Sequence, residues 1–302
     1  MKVLPLALKT VTRTQPANAA LKDGRVGPVG YALEFEEVDP LIRAFRRMVR
    51  ELEYDVCEMA ITTYLCAREH GAPFTALPVF LVRQFHHGAI LVNKQSGIAG
   101  PKDLEGRRVG VNRGYTVTTG VWARGILADE YGVDLERVTW VLSGDEHVAE
   151  YRPPANVVPL DEGEDMAELL VAGQIPAAIG VEVDHPDVVP LIQDAADAGL
   201  AALRDRGHYP INHRVVVRDA LIADHPDLAA DMLAAFERAK DMYVEGGDLL
   251  PLHRRVMELT GTDPLPYGVE PNLAAIDELI GHAVDQRILT RRPEISGLFV
   301  PT

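Results

Sequence analysis

Val109-Gly110-Val111-Asn112-Arg113-Gly114-Tyr115-Thr116-Val117-Thr118-Thr119-Gly120-Val121-Trp122 is the stretch whose reading decides the fold. It reads as a buried strand that breaks at Gly114 and runs into a helix opening on hydroxyl residues. A strand end followed by a helix N-terminus presents unpaired backbone N–H groups and a positive dipole end. That setting suits a carboxylate or another small anion. The same pattern also serves as an ordinary connection with a hydroxyl N-cap, so chemistry has to be sought along the rest of the chain.

On either side of this stretch, strands and helices alternate. Strands are expected over residues 3–9, 31–35, 54–59, 75–82, 89–93, 138–142, 177–181 and 213–217. Asp39-Pro40 predicts a helix start, an N-cap acid followed by proline in the first turn. Leu41, Ile42, Phe45, Met48, Val49 and Leu52 then recur at helical spacing, with Arg43, Arg46, Arg47 and Arg50 on the solvated side. Further helices are expected over residues 62–70, 118–131, 166–171, 252–259 and 273–288, with a long amphipathic one over 224–243. This alternation predicts an α/β fold with mostly parallel sheets. In such sheets ligands sit outside the carboxyl ends of strands. The positions to watch are therefore Arg13, the residues after Cys57, Arg83 to His87, those after Val111 and Val141, and those before His213.

The 302 residues, 47% hydrophobic and 25% charged, suffice for one large or two medium domains. A net charge of -15 speaks against nucleic acid or an anionic membrane as partner. Local arginines can still reverse the field around an anionic substrate. Two cysteines, Cys57 and Cys66, exclude a disulfide scaffold and read as buried thiols. The apolar part of Met1–Lys9 is too short for a secretory signal, and no window reaches membrane-spanning length, so the expected location is cytoplasmic.

Several familiar chemistries are missing. There is no Gly-x-Gly-x-x-Gly before a helix, no Walker loop, no His-Glu-x-x-His, no cysteine ligand pair and no Gly-x-Ser-x-Gly; serine occurs only at 96, 143 and 296. What remains is acid, imidazole and guanidinium. Glu58 sits in Asp55-Val56-Cys57-Glu58-Met59-Ala60, where an acid needs a partner or a polar setting. Thr62 and Thr63 follow as caps or ligand hydrogen-bonders. Adjacent His86 and His87 on extended backbone point in opposite directions. His213 begins an apolar strand after Tyr209-Pro210-Ile211-Asn212 and needs a partner.

Asp103-Leu104-Glu105-Gly106-Arg107-Arg108-Val109-Gly110-Val111, Tyr115-Thr116-Val117-Thr118 and Gly173-Gln174-Ile175-Pro176-Ala177-Ala178-Ile179 resemble the type II periplasmic-binding-protein fold. More specifically, the chain resembles the 4,5-dihydroxyphthalate decarboxylase family. The segments that carry this are Thr12-Arg13-Thr14, Val56-Cys57-Glu58-Met59-Ala60, Leu77-Pro78-Val79-Phe80 with Arg83, Phe85 and His87, Val121 to Val133, and Tyr209-Pro210-Ile211-Asn212-His213, and the motifs run on to Tyr267-Gly268. Asn212 and His86 depart from the family pattern, where a Met and a basic residue are usual, and residues 144–156 look reshaped.

The resemblance implies two lobes, one of residues 1–92 and 206–302 and one of 93–205, with a hinge and an interlobe cleft. It implies a carboxy-lyase of aromatic compound catabolism acting on a hydroxylated aromatic carboxylate by ring protonation and loss of carbon dioxide. No redox cofactor is required, and a divalent metal is left open, as is a homo-oligomer. On this reading His87 and His213 are the proton donor and the phenol partner, in either order, because imidazole titrates near neutrality. Glu58 orients one ring or accepts a phenol proton. Arg13, Arg83 and Arg113, with Thr62, Tyr115 and Thr118, hold the substrate and its carboxylates. The alternatives are a solute-binding protein for a small organic or aromatic acid, and another lyase of the same fold.

Overall fold

The computed structural model describes residues 4–301. Its strands are β1 Leu6–Val11, β2 Tyr31–Phe35, β3 Val56–Ala60, β4 Phe74–Ala76, β5 Val82–Arg83, β6 Ile90–Asn93, β7 Arg108–Val111, β8 Thr139–Leu142, β9 Val157–Pro159, β10 Ala177–Ile179, β11 Val188–Pro190 and β12 Ile211–Arg218. They form two six-stranded sheets. The chain divides into two compact units. Unit one runs up to Arg83, then Ile211–Ile276 and from Pro293 onward; unit two is Gln84–Pro210 with Asp277–Arg292. The boundary expected near residue 92 lies at 83/84. β6 pairs with β10 and β11, which draws the preceding segment into unit two.

In unit one the strand order is β2-β1-β3-β12-β4, with β5 also on β12. β1 is parallel to β2 and β3, whereas β12 runs against β3, β4 and β5. In unit two the order is β11-β6-β10-β7-β8-β9, and β6 opposes both its neighbours. The sheets are thus mixed, not mostly parallel. A parallel neighbour needs a crossover packed on its own sheet; β12 instead re-enters unit one after the chain has built most of unit two.

β3 is buried at every position. A strand covered on both faces reads as an apolar run, and Val56 and Met59 each contribute about 1.5–3 kcal/mol by burial. Glu58 is the exception in that run. In unit two, Val141, Met166, Leu170, Ile175, Ala178 and Val188 form one core cluster. Gly110 of β7 makes room there, because a Cβ on it would lie 2.2 Å from Met166 Sδ.

Local expectations shift in four places; the strand expected over 75–82 is two, Phe74–Ala76 and Val82–Arg83. The first long helix begins at Ile42 with Leu41 as N-cap, beyond the cis Asp39–Pro40 bond, so Asp39 does not cap it. The expected helix over 224–243 is two, Asp219–Asp224 and Leu228–Glu245. Pro226 pushes His225 out of helical conformation, as the residue before proline generally is. The helix after β7 spans Thr118–Asp129 and starts after Val117, with no side-chain cap. Cys57 and Cys66 are buried free thiols. No helix among the described residues is long and apolar enough to cross a membrane.

Candidate active site

Antiparallel register brings Glu58 and His213 together in unit one. Val215 of β12 lies opposite Glu58 of β3, and His213 lies opposite Ala60. Side chains two apart on a strand share a face, so His213 is the diagonal neighbour of Glu58. His213 Nδ1 donates to Glu58 Oε1 at 2.7 Å. The backbone N–H of Arg13, just past the end of β1, donates to Glu58 Oε2 at 2.8 Å. The Glu58 side chain is fully buried, while that of His213 is 21% exposed. Phe45 meets the imidazole edge-on, 5.2 Å between ring centres. A buried carboxylate with a donor on each oxygen is satisfied as an anion. Against a carboxylate Nδ1 is the donor nitrogen of the ring, and Nε2 is not engaged by Glu58.

The remaining residues expected in unit one are dispersed around this pair. Arg13 is exposed and reaches Glu58 through its backbone. Thr62 is buried in the helix Ile61–Glu69. Arg83 on β5 is buried; it donates from Nη2 to Asn272 Oδ1 and lies over the Phe80 ring at 5.7 Å. Burial pushes the neighbouring Cys57 thiol well up, so it stays an inert packing group.

In unit two the strand end after β7 does hold a carboxylate, and it is the protein's own. The Tyr115 and Thr116 N–H groups and the Thr116 hydroxyl all donate to Glu146. Gly114 permits this approach, since a Cβ there would lie 2.7 Å from Glu146 Oε2. Tyr115 and Thr118 are buried, and Arg113 is exposed in left-handed conformation with φ 72°. Sequence reading missed Glu146, although it follows β8 at the kind of strand end that carries function.

His87 belongs to a second network, entirely within unit two. It is fully buried, with Nε2 3.1 Å from both oxygens of Glu130. Arg206 ties Glu130 to Glu278, and His208 Nδ1 lies 2.9 Å from Glu278 Oε1. Burial opposes the charge on Glu130, but the bonds from His87 and Arg206 outweigh it and hold the carboxyl below its ordinary range. Glu278 is held low in the same way by His208 and Arg206. Asp129, Glu278 and His282 place one ligand atom each within 4.8 Å of one another, a set able to hold a divalent cation. Arg206 competes for Glu278 there.

A sequence from Comamonas testosteroni named 4,5-dihydroxyphthalate decarboxylase is 30% identical over 328 aligned positions, covering 99% of this chain and 96% of its own. This chain belongs to the 4,5-dihydroxyphthalate decarboxylase family. A Pseudomonas putida protein of the same name is 32% identical over 209 positions, covering 65% of this chain and 79% of its own. The NMT1/THI5-like family model matches residues 45–152 of this decarboxylase-family chain. Among solved structures, the alkanesulfonate-binding protein SsuA from Xanthomonas axonopodis pv. citri superposes with a TM-score of 0.54 at 14% identity, covering 99% of this chain and 100% of its own. The 4,5-dihydroxyphthalate decarboxylase family member described here therefore has the type II periplasmic-binding-protein-like fold, within a family of carboxy-lyases.

Proposed function

We propose that this protein decarboxylates a hydroxylated aromatic carboxylate resembling 4,5-dihydroxyphthalate, with His213 as the acid and Glu58 as its anchor. The observation that carries this is the 2.7 Å bond between a fully buried carboxylate and a partly exposed imidazole. The protonated ring is stabilised through Nδ1 by Glu58 and presents Nε2–H outward. Nε2–H gives its proton to the ring carbon bearing the carboxylate, and a ring hydroxyl supplies the electrons. The bond to the carboxylate then breaks, its electron pair restores the aromatic ring, and carbon dioxide leaves. Solvent returns the proton to His213. The net change is one proton taken up and one carbon dioxide released per substrate. A positioned acid contributes about 10²–10⁴-fold, and the guanidinium groups of Arg13 and Arg83 are the unit-one partners for a carboxylate that stays on the ring. His87, with no exposed surface, takes no part in this step and anchors the Glu130–Arg206–Glu278 network.

The test is incubation of purified, chelator-treated protein with a panel of hydroxylated benzoic and phthalic acids, with carbon dioxide and product mass as readouts. Loss of 44 mass units (the mass of CO₂) from a hydroxylated acid, abolished in His213→Ala, is the expected result. Binding of these acids with no release by the treated or metal-supplemented protein would overturn the reading in favour of a solute-binding role.

A further inference from the structure

Tyr267 is a buried phenol. It is 5% exposed, and its hydroxyl is unpartnered among the described residues. The loop that carries it is held firmly. Gly268 N–H donates to Pro78 O at 2.8 Å, and Asn272 Nδ2 donates to Pro266 O at 3.0 Å and Gly268 O at 2.7 Å. The other end of the Asn272 amide accepts from Arg83. The phenol therefore cannot easily turn away to find water, and an orphaned buried hydroxyl in a rigid setting asks for a reason.

Its surroundings say which kind of guest would satisfy it. Burial, with the negative charges of Asp263 and Glu58, pushes the Tyr267 hydroxyl well above the usual phenol range, against the pull of Arg83. The group is therefore an O–H donor at every working pH. Gly268 is bonded to Pro78, whose neighbour Leu77 donates its N–H to Val215 O, and Val215 lies opposite Glu58, so the loop carrying Tyr267 borders the strand pair of the site described above. The Lys240 ammonium lies 5.0 Å from the ring centre. Both nearby cations are already engaged, Lys240 by Asp263 and Arg83 by Asn272, so what the hydroxyl lacks is an oxygen acceptor, and hydrogen bonds to ionised acceptors are the strong ones.

We propose that the Tyr267 hydroxyl donates a hydrogen bond to a carboxylate oxygen of the aromatic acid bound beside Glu58 and His213. The substrate class is taken from the decarboxylase reading; the donor and the kind of acceptor come from the geometry of unit one. The hydroxyl is a binding determinant that selects for the carboxylate and leaves proton transfer to His213.

The experiment compares wild type with Tyr267→Phe by calorimetric titration of phthalate and of 4,5-dihydroxyphthalate, alongside thermal unfolding. Phenylalanine keeps the packing and removes only the orphaned oxygen. The dissociation constants for both acids should rise tenfold or more, while the unfolding temperature stays equal or increases. Phthalate has no ring hydroxyl, so a penalty that persists with it identifies the carboxylate as partner. A penalty seen with 4,5-dihydroxyphthalate alone would overturn that assignment. Constants within twofold of wild type, or wild type that binds neither acid, would also overturn it. So would a lower unfolding temperature, which would give the hydroxyl a partner inside the protein. Carbon dioxide release by wild type is scored separately: without it the decarboxylase reading falls, while the phthalate titrations still judge Tyr267.

Discussion

Glu58→Gln isolates what the buried carboxylate does for His213. The amide is nearly isosteric, but it is neutral and offers one acceptor and one NH₂ group where the carboxylate offers two acceptors. Arg13 N–H requires an acceptor at 2.8 Å. With the amide oxygen turned to Arg13, the NH₂ group faces Nδ1 of His213. Nδ1 must then be unprotonated, which moves the proton of the neutral ring to Nε2 and removes the counter-charge of the imidazolium. If the protonated ring is the acid, the loss should approach the whole contribution of positioned acid catalysis, about 10²–10⁴-fold in kcat. That corresponds to about 2.7–5.4 kcal/mol at the transition state. Stability should move far less. Two charge-assisted bonds weaken, each worth about 1.5–3 kcal/mol, but the desolvation cost of a fully buried carboxylate disappears with them. The assay is the rate of carbon dioxide release from 4,5-dihydroxyphthalate, with urea unfolding run on the same preparations. A folded Glu58→Gln protein within threefold of wild-type kcat would refute the assignment of Glu58 and His213 as the working pair.

Three further outcomes follow from other parts of the molecule. Glu146→Ala strips the Tyr115 and Thr116 donors of their carboxylate, so stability to urea should fall by about 1–3 kcal/mol, with added acetate restoring part of it; an unchanged midpoint would argue against this contact. Burial holds the His282 imidazole below its ordinary range, partly offset by Asp129 and Glu278, and His253 is likewise held low by burial. A histidine with a depressed native value is protonated first in the unfolded chain, so its stability contribution is complete above about pH 6.5 and declines as pH falls below that. Melting temperatures of His282→Gln should therefore drop less steeply than wild type below pH 6.5, and parallel curves would contradict the inference. Arg214 is fully buried, lies 3.4 Å over the Tyr64 ring, has no hydrogen-bond partner among the described residues, and is pulled by burial to a pKa of about 9. Arg214→Met removes a costly desolvated charge at the loss of a cation–π contact of about 2 kcal/mol and should raise stability by about 1–4 kcal/mol in urea unfolding; a clear loss would show that the guanidinium has a partner.

The α/β alternation and the positions of Glu58 and His213 were legible because each breaks a local rule. An acid interrupts an apolar strand in Val56–Ala60, and a histidine opens another in Ile211–Arg218. Their partnership was not legible, since it depends on the register of two strands whose contacting side chains stand 155 positions apart. The direction of β12 was hidden for a related reason: alternation of elements fixes neither strand order nor polarity once a chain leaves a sheet and returns. Glu146 and the Glu130–Arg206–Glu278 chain were missed because acids in polar surroundings carry no signal until a fold places donors around them. Tyr267 stood at the end of the motif-bearing stretch with no signal of its own. Only the absence of a partner for its hydroxyl among the described residues distinguishes it, and partners are a property of packing.

The register of β12 decides what kind of site unit one contains. Because β12 opposes β3, its amino end lies at the carboxyl end of β3, beside the end of β1 that leads to Arg13. The rule that ligands sit at the carboxyl ends of strands thus extends to this mixed sheet, with the antiparallel member contributing from its beginning. A one-residue slip would exchange the two faces of β12. Arg214 would then meet Glu58, and His213 would enter the closed space over Tyr64. An arginine–glutamate pair binds anions but holds its proton at every relevant pH, whereas histidine–glutamate can give one up. The register is pinned from the other side of β12 as well: Leu81 N–H donates to His213 O at 3.0 Å, and Leu77 N–H donates to Val215 O at 2.9 Å. The irregularity between Ile211 and His213 against β5 absorbs the one offset that would otherwise carry through the strand. Backbone pairing from β4 to β5 therefore determines that the group presented beside Glu58 is an acid–base one.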